Sequence, residues 1–334
     1  MHAMHFVFAS RKQIINFMGD IHEKLAALKE RASCLRLVRE FFFDRDLLEV
    51  DCPAISHASS IDQHIDVMRV EMDQNRWAYL HTSPEYKIKR LLAAGIGDCY
   101  QLSHVYRSEE SGKLHNPEFT MLEWYRLGWE FTLFMEETLD LIRLMLGLLP
   151  ASFINYRTAL KTYAGIDYLH ATSSELLACI DKHGQQVSSD AQNWDKETLL
   201  QFLMSAVVEP HLGKDQLLVL HDYPASQAAL ARTRQNGDET VAERFEIYYQ
   251  GIELANGYHE LTDVNEQRQR LYKEQEARKT MGKSHLPIDD NFLAALEKGL
   301  PPCCGVAVGF DRLLMLRLGK TALTDVLPFS WEEA

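Results

Sequence analysis

Between residues 99 and 127 two strand-like runs, CYQLSHVYR and PEFTMLEWYRL, flank the polar stretch SEESGKLHN. Alternating side-chain character on either side of a connection rich in Ser, Gly and Asn predicts an antiparallel hairpin with a long tip. Period-2 geometry puts Phe119, Met121, Glu123 and Tyr125 on one face and Thr120, Leu122 and Trp124 on the other. A face that carries an aromatic ring, a carboxylate and a phenol is not a plain core face. Arg107 stands where the first run meets the loop, with Glu109 two residues on. An arginine can grip a phosphate through two parallel hydrogen bonds, and a nearby carboxylate can hold magnesium, a ribose or an amine. Taken alone, the same pair also reads as a surface salt bridge on a hairpin tip.

A second signal is GVAVGFDR at 305–312. Glycines bracketing a strand, here Gly305 and Gly309, mark a place where a backbone or a ligand comes close. Asp311 and Arg312 then open the helix LLMLRLG. An arginine beside the positive end of a helix dipole is unfavourable unless an anion such as phosphate binds there too. The alternative is a packing turn with a solvated arginine. A third signal, GIELANGYHELTD at 251–263, gathers Glu253, Asn256 and Glu260 around an expected turn at Asn256–Gly257. Carboxylates this dense are costly to bury unless they meet cations, such as an ammonium group or magnesium. A hairpin with polar ends is the plainer reading. In TSPEYKIKRLLAAG (82–95), Ser83 can cap a helix, Pro84 fits its first turn, and Glu85 complements its dipole. MGKS at 281–284 is not a phosphate loop, because the upstream glycine position holds Ala277. Of the 14 histidines, His115 beside Asn116 is the one placed near a site.

The rest of the chain reads as a helix over 34–48 leading into LEVDCP, an amphipathic helix over 131–149 and a mostly helical insertion at about 150–213. Strands follow at 215–224 and 244–257, and then a charged helical stretch at 263–300. Strands separated by helices from residue 48 onward predict one α+β domain after an N-terminal extension over 1–30. The net charge of −13 argues against a general electrostatic grip on nucleic acid, which needs clustered Lys and Arg. Six cysteines without CxxC pairing read as reduced thiols. With no signal-peptide pattern and no apolar run long enough for a bilayer, the expectation is a cytoplasmic protein without membrane partners.

Together these segments resemble the class II aminoacyl-tRNA synthetases. YRSEE followed by HNPEFTMLEWYR resembles their motif 2, GVAVGFDR their motif 3, and the helix leading to Pro53 their motif 1. TSPEY, HNPEFTMLEWY and ELANGYHELTD look like the lysyl-tRNA synthetase catalytic domain, over about residues 31–330. The thirty residues before motif 1 are too few for the anticodon-binding barrel those enzymes carry. The chain therefore looks like a stand-alone branch of the family whose acceptor is a lysine of elongation factor P, a protein shaped like tRNA.

That resemblance implies an antiparallel sheet flanked by helices, without the OB-fold anticodon domain, and a homodimer through motif 1. It implies activation of (R)-β-lysine or lysine by ATP with Mg2+, then transfer to the ε-amine of the acceptor lysine. Arg107 and Arg312 would bind the ATP phosphates and Phe119 would stack on adenine. Ser108, Glu109, His115, Asn116, Leu254 and Gly309 would complete the nucleotide site, with Glu253 taking magnesium. Glu85, Tyr125 and Glu260 would recognise the substrate's amino groups, while Ser83, Pro84, Asn256 and Ala307 shape that pocket. Ser108 replaces the Asn usual in the family, Phe310 stands where aliphatic residues also occur, and Ala307 stands where lysyl-tRNA synthetases carry Gly. Two rival readings are an enzyme charging tRNA or another acceptor without an anticodon domain, and a catalytically dead synthetase-like regulator. The acidic balance argues against tRNA, and the charged residues Arg107, Glu109 and Arg312 argue against the dead module.

Overall fold

A computed structural model describes residues 11–73, 76–188 and 191–334. The first ten residues of the N-terminal extension lie outside the described residues. The strands are β1 (Leu48–Glu49), β2 (Ile55–Ser56), β3 (Arg69–Glu71), β4 (Trp77–Leu80), β5 (Cys99–Tyr106) and β6 (Glu118–Leu127). They continue with β7 (Ala151–Asn155), β8 (Leu217–Pro224), β9 (Thr233–Asn236), β10 (Glu239–Tyr249), β11 (Ile252–His259) and β12 (Cys303–Gly309). The α-helices are α1 (Arg11–Phe43), α2 (Glu85–Ala93), α3 (Phe131–Leu146), α4 (Tyr156–Ala159) and α5 (Ser173–Lys182). After them come α6 (Lys196–Leu203), α7 (Val264–Thr280), α8 (Asp290–Gly299) and α9 (Phe310–Arg317).

One large sheet runs in the order β1-β5-β6-β12-β11-β10-β8-β7, with β9 added on β10, and β2-β4-β3 form a small second sheet. The interior of the large sheet is antiparallel, while its two edges, β1 on β5 and β7 on β8, pair parallel. The hairpin expected at 99–127 is present as β5 and β6, paired from Cys99–Tyr125 to Tyr106–Glu118.

Two local expectations are corrected and one is refined. The helix read over 34–48 begins at Arg11 and stops at Phe43, and Leu48 opens β1. The stretch at 150–213 is mostly helical as expected, but it opens with β7, which joins the large sheet beside β8. The other correction is at Asn256–Gly257, which is no turn. The chain reverses at Gln250–Gly251, both at positive φ, and Asn256 and Gly257 lie inside β11 opposite Ala307 and Val306. Gly257 is demanded by packing, since a Cβ there would strike the Phe245 ring and Val306.

The two faces of the sheet differ as the hairpin alternation requires. Leu122, Trp124, Val306 and Val308 point to a core that also takes Phe42 from α1, Leu139 and Ile142 from α3, and Leu314 from α9. Glu137 of α3 ties that layer to β6, accepting from Trp124 Nε1 at 3.1 Å and from Arg126 Nε at 3.0 Å. A separate core joins α4, α5 and α6 to β8, and a third packs α2 against α8 through the stacked rings of Tyr86 and Phe292, 4.2 Å apart. The opposite face of the central strands is left to the site.

Candidate active site

The site follows from sheet register. Glu123 of β6, Ala307 of β12, Asn256 of β11 and Glu246 of β10 are successive cross-strand partners, so they form one row on one face. The adjacent row holds Tyr125, Gly305, Tyr258 and Arg244. On this face β12 carries Cys303, packed into the core beside Tyr125, and beyond it only Gly305, Ala307 and Gly309, while the strands beside it carry large polar side chains. The result is a trough, with β12 as its floor and β6 and β11 as its walls. It belongs to a cavity of about 760 Å³. Gly309 lines that cavity, and an added Cβ there would come no nearer than 3.7 Å to any protein atom. The protein's own packing does not require glycine at 309; the space beyond it is the cavity.

One half of the trough is basic. Arg107 lies over the Phe119 ring, 5.1 Å from its centroid, and approaches Glu110 at 3.7 Å. Arg312 is held on three sides: it donates to the Glu253 carbonyl at 2.8 Å, to His115 Nε2 at 2.9 Å and to the Leu114 carbonyl at 3.4 Å. As an acceptor from arginine, His115 Nε2 carries no proton. Burial and the two arginines push its pKa down accordingly. The preceding residue, Asp311, is buried and accepts from Arg31 of α1 at 2.5 Å and from the Thr120 backbone N–H at 2.7 Å. The start of α9 is thereby fixed to both α1 and β6, which aims Arg312 at the trough. Asn116 donates to the Glu118 carbonyl at 2.7 Å and lines the cavity with Leu254. Ser108 and Glu109 stand outside the cavity lining. The Ser108 N–H donates to the Asp66 carbonyl at 2.7 Å, and Glu109 is an exposed loop residue at positive φ.

The other half is acidic and drier. Glu85 opens α2 and lines the cavity with Ser83, while Pro84 precedes the helix. Behind them Glu123 and Glu260, each 2% exposed, face Lys89, which has no exposed surface. Tyr125 donates its hydroxyl to Glu123 at 2.8 Å. The second Glu123 oxygen and Glu260 Oε1 are buried without a hydrogen-bond partner. Burial raises the pKa of both carboxyls, that of Glu260 to about 8 even though Lys89 lies beside it. Gly305 makes room for this corner, because a side chain there would overlap the Tyr125 ring and the Glu260 carboxylate. Carboxyls in this state are stabilised by cations delivered from outside.

Between the halves, Glu253 carries a raised pKa through burial and then through repulsion from Glu246, opposed by Arg312. Nearby, Asn256 Oδ1 is buried and unpartnered. No group of three or more His, Cys, Asp or Glu arranged to hold a metal occurs among the described residues. Magnesium carried with nucleotide phosphates needs only one or two carboxylates, however, and two repelling carboxyls beside an orphaned amide oxygen fit that hard cation.

Glu246, Glu110, Lys89 and, beyond its face, Glu123 carry no role that local sequence expresses. Glu246 had a signal in the alternation Arg244, Glu246, Tyr248, in which the arginine and the tyrosine hydroxyl each donate to the Glu246 carboxylate. Lys89 had only its helical position one turn after Glu85.

The family model for class II tRNA synthetases (D, K and N) matches residues 12–333. The elongation factor P--(R)-beta-lysine ligase of Pasteurella multocida (strain Pm70) is 45% identical over 312 residues, covering 92% of this chain and 95% of that protein. Proteins of the same name from Haemophilus influenzae (strain PittGG) and Edwardsiella ictaluri (strain 93-146) are 43% and 45% identical, over 92% and 93% of this chain and 95% and 96% of their own lengths. The chain belongs to the class II tRNA synthetase family and, within it, to the elongation factor P--(R)-beta-lysine ligases.

Proposed function

We propose that this chain activates (R)-β-lysine, or lysine, with ATP and transfers it to the ε-amine of a lysine on elongation factor P. The observation that carries the reading is the division of one sheet face into a basic, glycine-floored half around Arg107 and Arg312 and an acidic half around Glu85, Glu123 and Glu260. An aminoacyl-adenylate with cationic amines has this polarity: phosphate at one end, ammonium groups at the other.

In the first step a carboxylate oxygen of the amino acid attacks the α-phosphorus of ATP, and pyrophosphate leaves as the new P–O bond forms. Arg107 and Arg312 neutralise the phosphates, and Phe119 exchanges its arginine contact for the adenine ring. His115, Asn116, Leu254 and Gly309 border the nucleotide, while Ser108 and Glu109 stand on the loop outside the cavity lining. Glu85, Tyr125 and Glu260 hold the amino groups, in a pocket shaped by Ser83, Pro84, Asn256 and Ala307. Glu253, with Glu246, would hold magnesium, which would supply further charge neutralisation at the phosphates. In the second step the acceptor amine attacks the carbonyl carbon, a C–N bond replaces the C–O bond to AMP, and the surplus amine proton is lost. Positioning and electrostatic preorganisation account for both steps without a covalent enzyme intermediate.

The six free, buried cysteines fit a cytoplasmic setting. No helix among the described residues is long and apolar enough to cross a membrane. The decisive experiment incubates the protein with ATP, labelled (R)-β-lysine or lysine, and either elongation factor P or tRNA. Label is expected on the protein acceptor and little or none on tRNA, since tight tRNA capture draws much of its affinity from phosphate contacts and this chain carries a net charge of −13. Salt-sensitive charging of tRNA with no transfer to elongation factor P would overturn the reading.

A further inference from the structure

The amino half of the site already contains a cation. Lys89 lies on α2 one turn after Glu85, and its side chain has no exposed surface. Its Nζ is 2.6 Å from Glu85 Oε1 and 2.5 Å from Glu260 Oε2, so a single ammonium bridges the first turn of α2 to the residue that follows β11. These two carboxylates, with Glu123, make three acidic groups in one enclosed corner. A fully buried lysine is rare and has to be paired. Here the pairing joins groups that have a further use, because oxygens of Glu123 and Glu260 remain unpartnered.

Charge counting gives Lys89 a meaning beyond packing. With a diamino acid bound, its ammonium groups favour the charged form of the buried carboxyls, and three carboxylates less one internal ammonium then leave two negative charges to meet its two positive ones. Without Lys89 the corner would carry an uncompensated third charge and would lose the strap holding Glu85 and Glu260 together. Resting on the functional reading above, we infer that Lys89 is a positioning residue that sets the pocket's charge to match a substrate with two ammonium groups and fixes the spacing of the carboxylates that receive them.

The test is pyrophosphate exchange with the intact chain, measuring KM for the diamino acid and for ATP in four proteins: wild type, Lys89→Met, Glu85→Gln and the double variant. Lys89→Met keeps the length of the stem and removes the charge. Its amino-acid KM is expected to rise about tenfold or more while the ATP KM stays within about twofold, the signature of a lost charge match at one end of the site. Glu85→Gln shifts the balance the opposite way and also raises the amino-acid KM. In the double variant the balance returns, so its amino-acid KM falls below that of Glu85→Gln alone. A role in packing alone makes the double variant as impaired as Glu85→Gln or worse, and that result overturns the inference. An unchanged amino-acid KM in Lys89→Met, or equal rises for both substrates, overturns it as well. If Lys89→Met does not fold, the comparison of the double variant with Glu85→Gln carries the test unaided. Exchange by the wild type in the same series keeps this inference distinct from the functional reading, which fails if the wild type shows none.

Discussion

Arg312 illustrates how a side chain becomes available for chemistry. Three main-chain and imidazole acceptors hold its guanidinium, and its nearest carboxylate, that of Glu253, stays at 3.7 Å. A charge held by neutral acceptors keeps most of its attraction for phosphate. Arg312→Ala should lower pyrophosphate exchange by about 10²-fold or more, equivalent to about 3 kcal/mol of transition-state stabilisation, with the fold retained by circular dichroism. Exchange near the wild-type rate would remove Arg312 from the site. His81 makes a different prediction, about pH. It is buried, its Nε2–H donates to the His104 carbonyl at 2.9 Å, and its Nδ1 has no partner. Burial therefore holds its pKa down at about 4, against an ordinary 6.5. The unfolded chain takes up a proton first as the pH falls, so the stability carried by the neutral ring is complete above about pH 6.5 and is lost toward pH 4. Replacing His81 with Gln keeps a donor and removes the titration. Denaturant melts should show the wild type losing about 1–3 kcal/mol more than His81→Gln between pH 7 and 4; parallel losses would show that His81 is not the group responsible.

Among the elements, β12 does the most for the site, and it does so by having almost no side chains on one face. Gly305→Ala puts a methyl group where the Tyr125 ring and the Glu260 carboxylate now lie. The expected outcome is a rise of about tenfold in amino-acid KM with ATP affinity little changed, because Gly309 and Arg312 lie at the other end of the strand. A matched loss of ATP affinity would mean that the whole strand had moved. Helix α2 depends instead on packing: the Tyr86–Phe292 stack on α8 sets the height of Glu85 over the trough. Phe292→Ala leaves a cavity in that contact and should cost about 3–5 kcal/mol in chemical denaturation. A loss below about 1 kcal/mol would show that α2 is held by something else.

Across the assembled chain, a run of exposed apolar residues follows α1 into the sheet edge. Phe43, Leu48 and Ile55 are 81%, 51% and 48% exposed. Exposed apolar side chains of this size are what an association surface would bury. In line with the dimer implied by motif 1, the protein should sediment as a homodimer, and Phe43→Glu with Leu48→Glu should shift it to monomer while exchange activity falls. A wild-type monomer at micromolar concentration would exclude that surface as a dimer contact. The salt link from α1 through Arg31 to Asp311 gives a physical route by which such pairing reaches the start of α9.

The sequence was most informative where local chemistry and sheet geometry agree. Strand period and loop composition defined the β5–β6 hairpin, and the glycines of GVAVGFDR marked the strand that forms the trough. The Asn256–Gly257 dipeptide shows the opposite case: its turn preference was overridden, because β12 offered partners on one side and the Phe245 ring needed the missing side chain. Likewise β7 was hidden at the start of a stretch read as mostly helical, since its one parallel partner, β8, lies more than sixty residues away in the chain. The cross-strand row from Glu123 to Glu246 and the burial of Lys89 between Glu85 and Glu260 depend on register and on long-range packing. A local pattern can say which face a residue occupies. Which distant residue shares that face is settled when four strands align, and with it how many charges meet in one pocket.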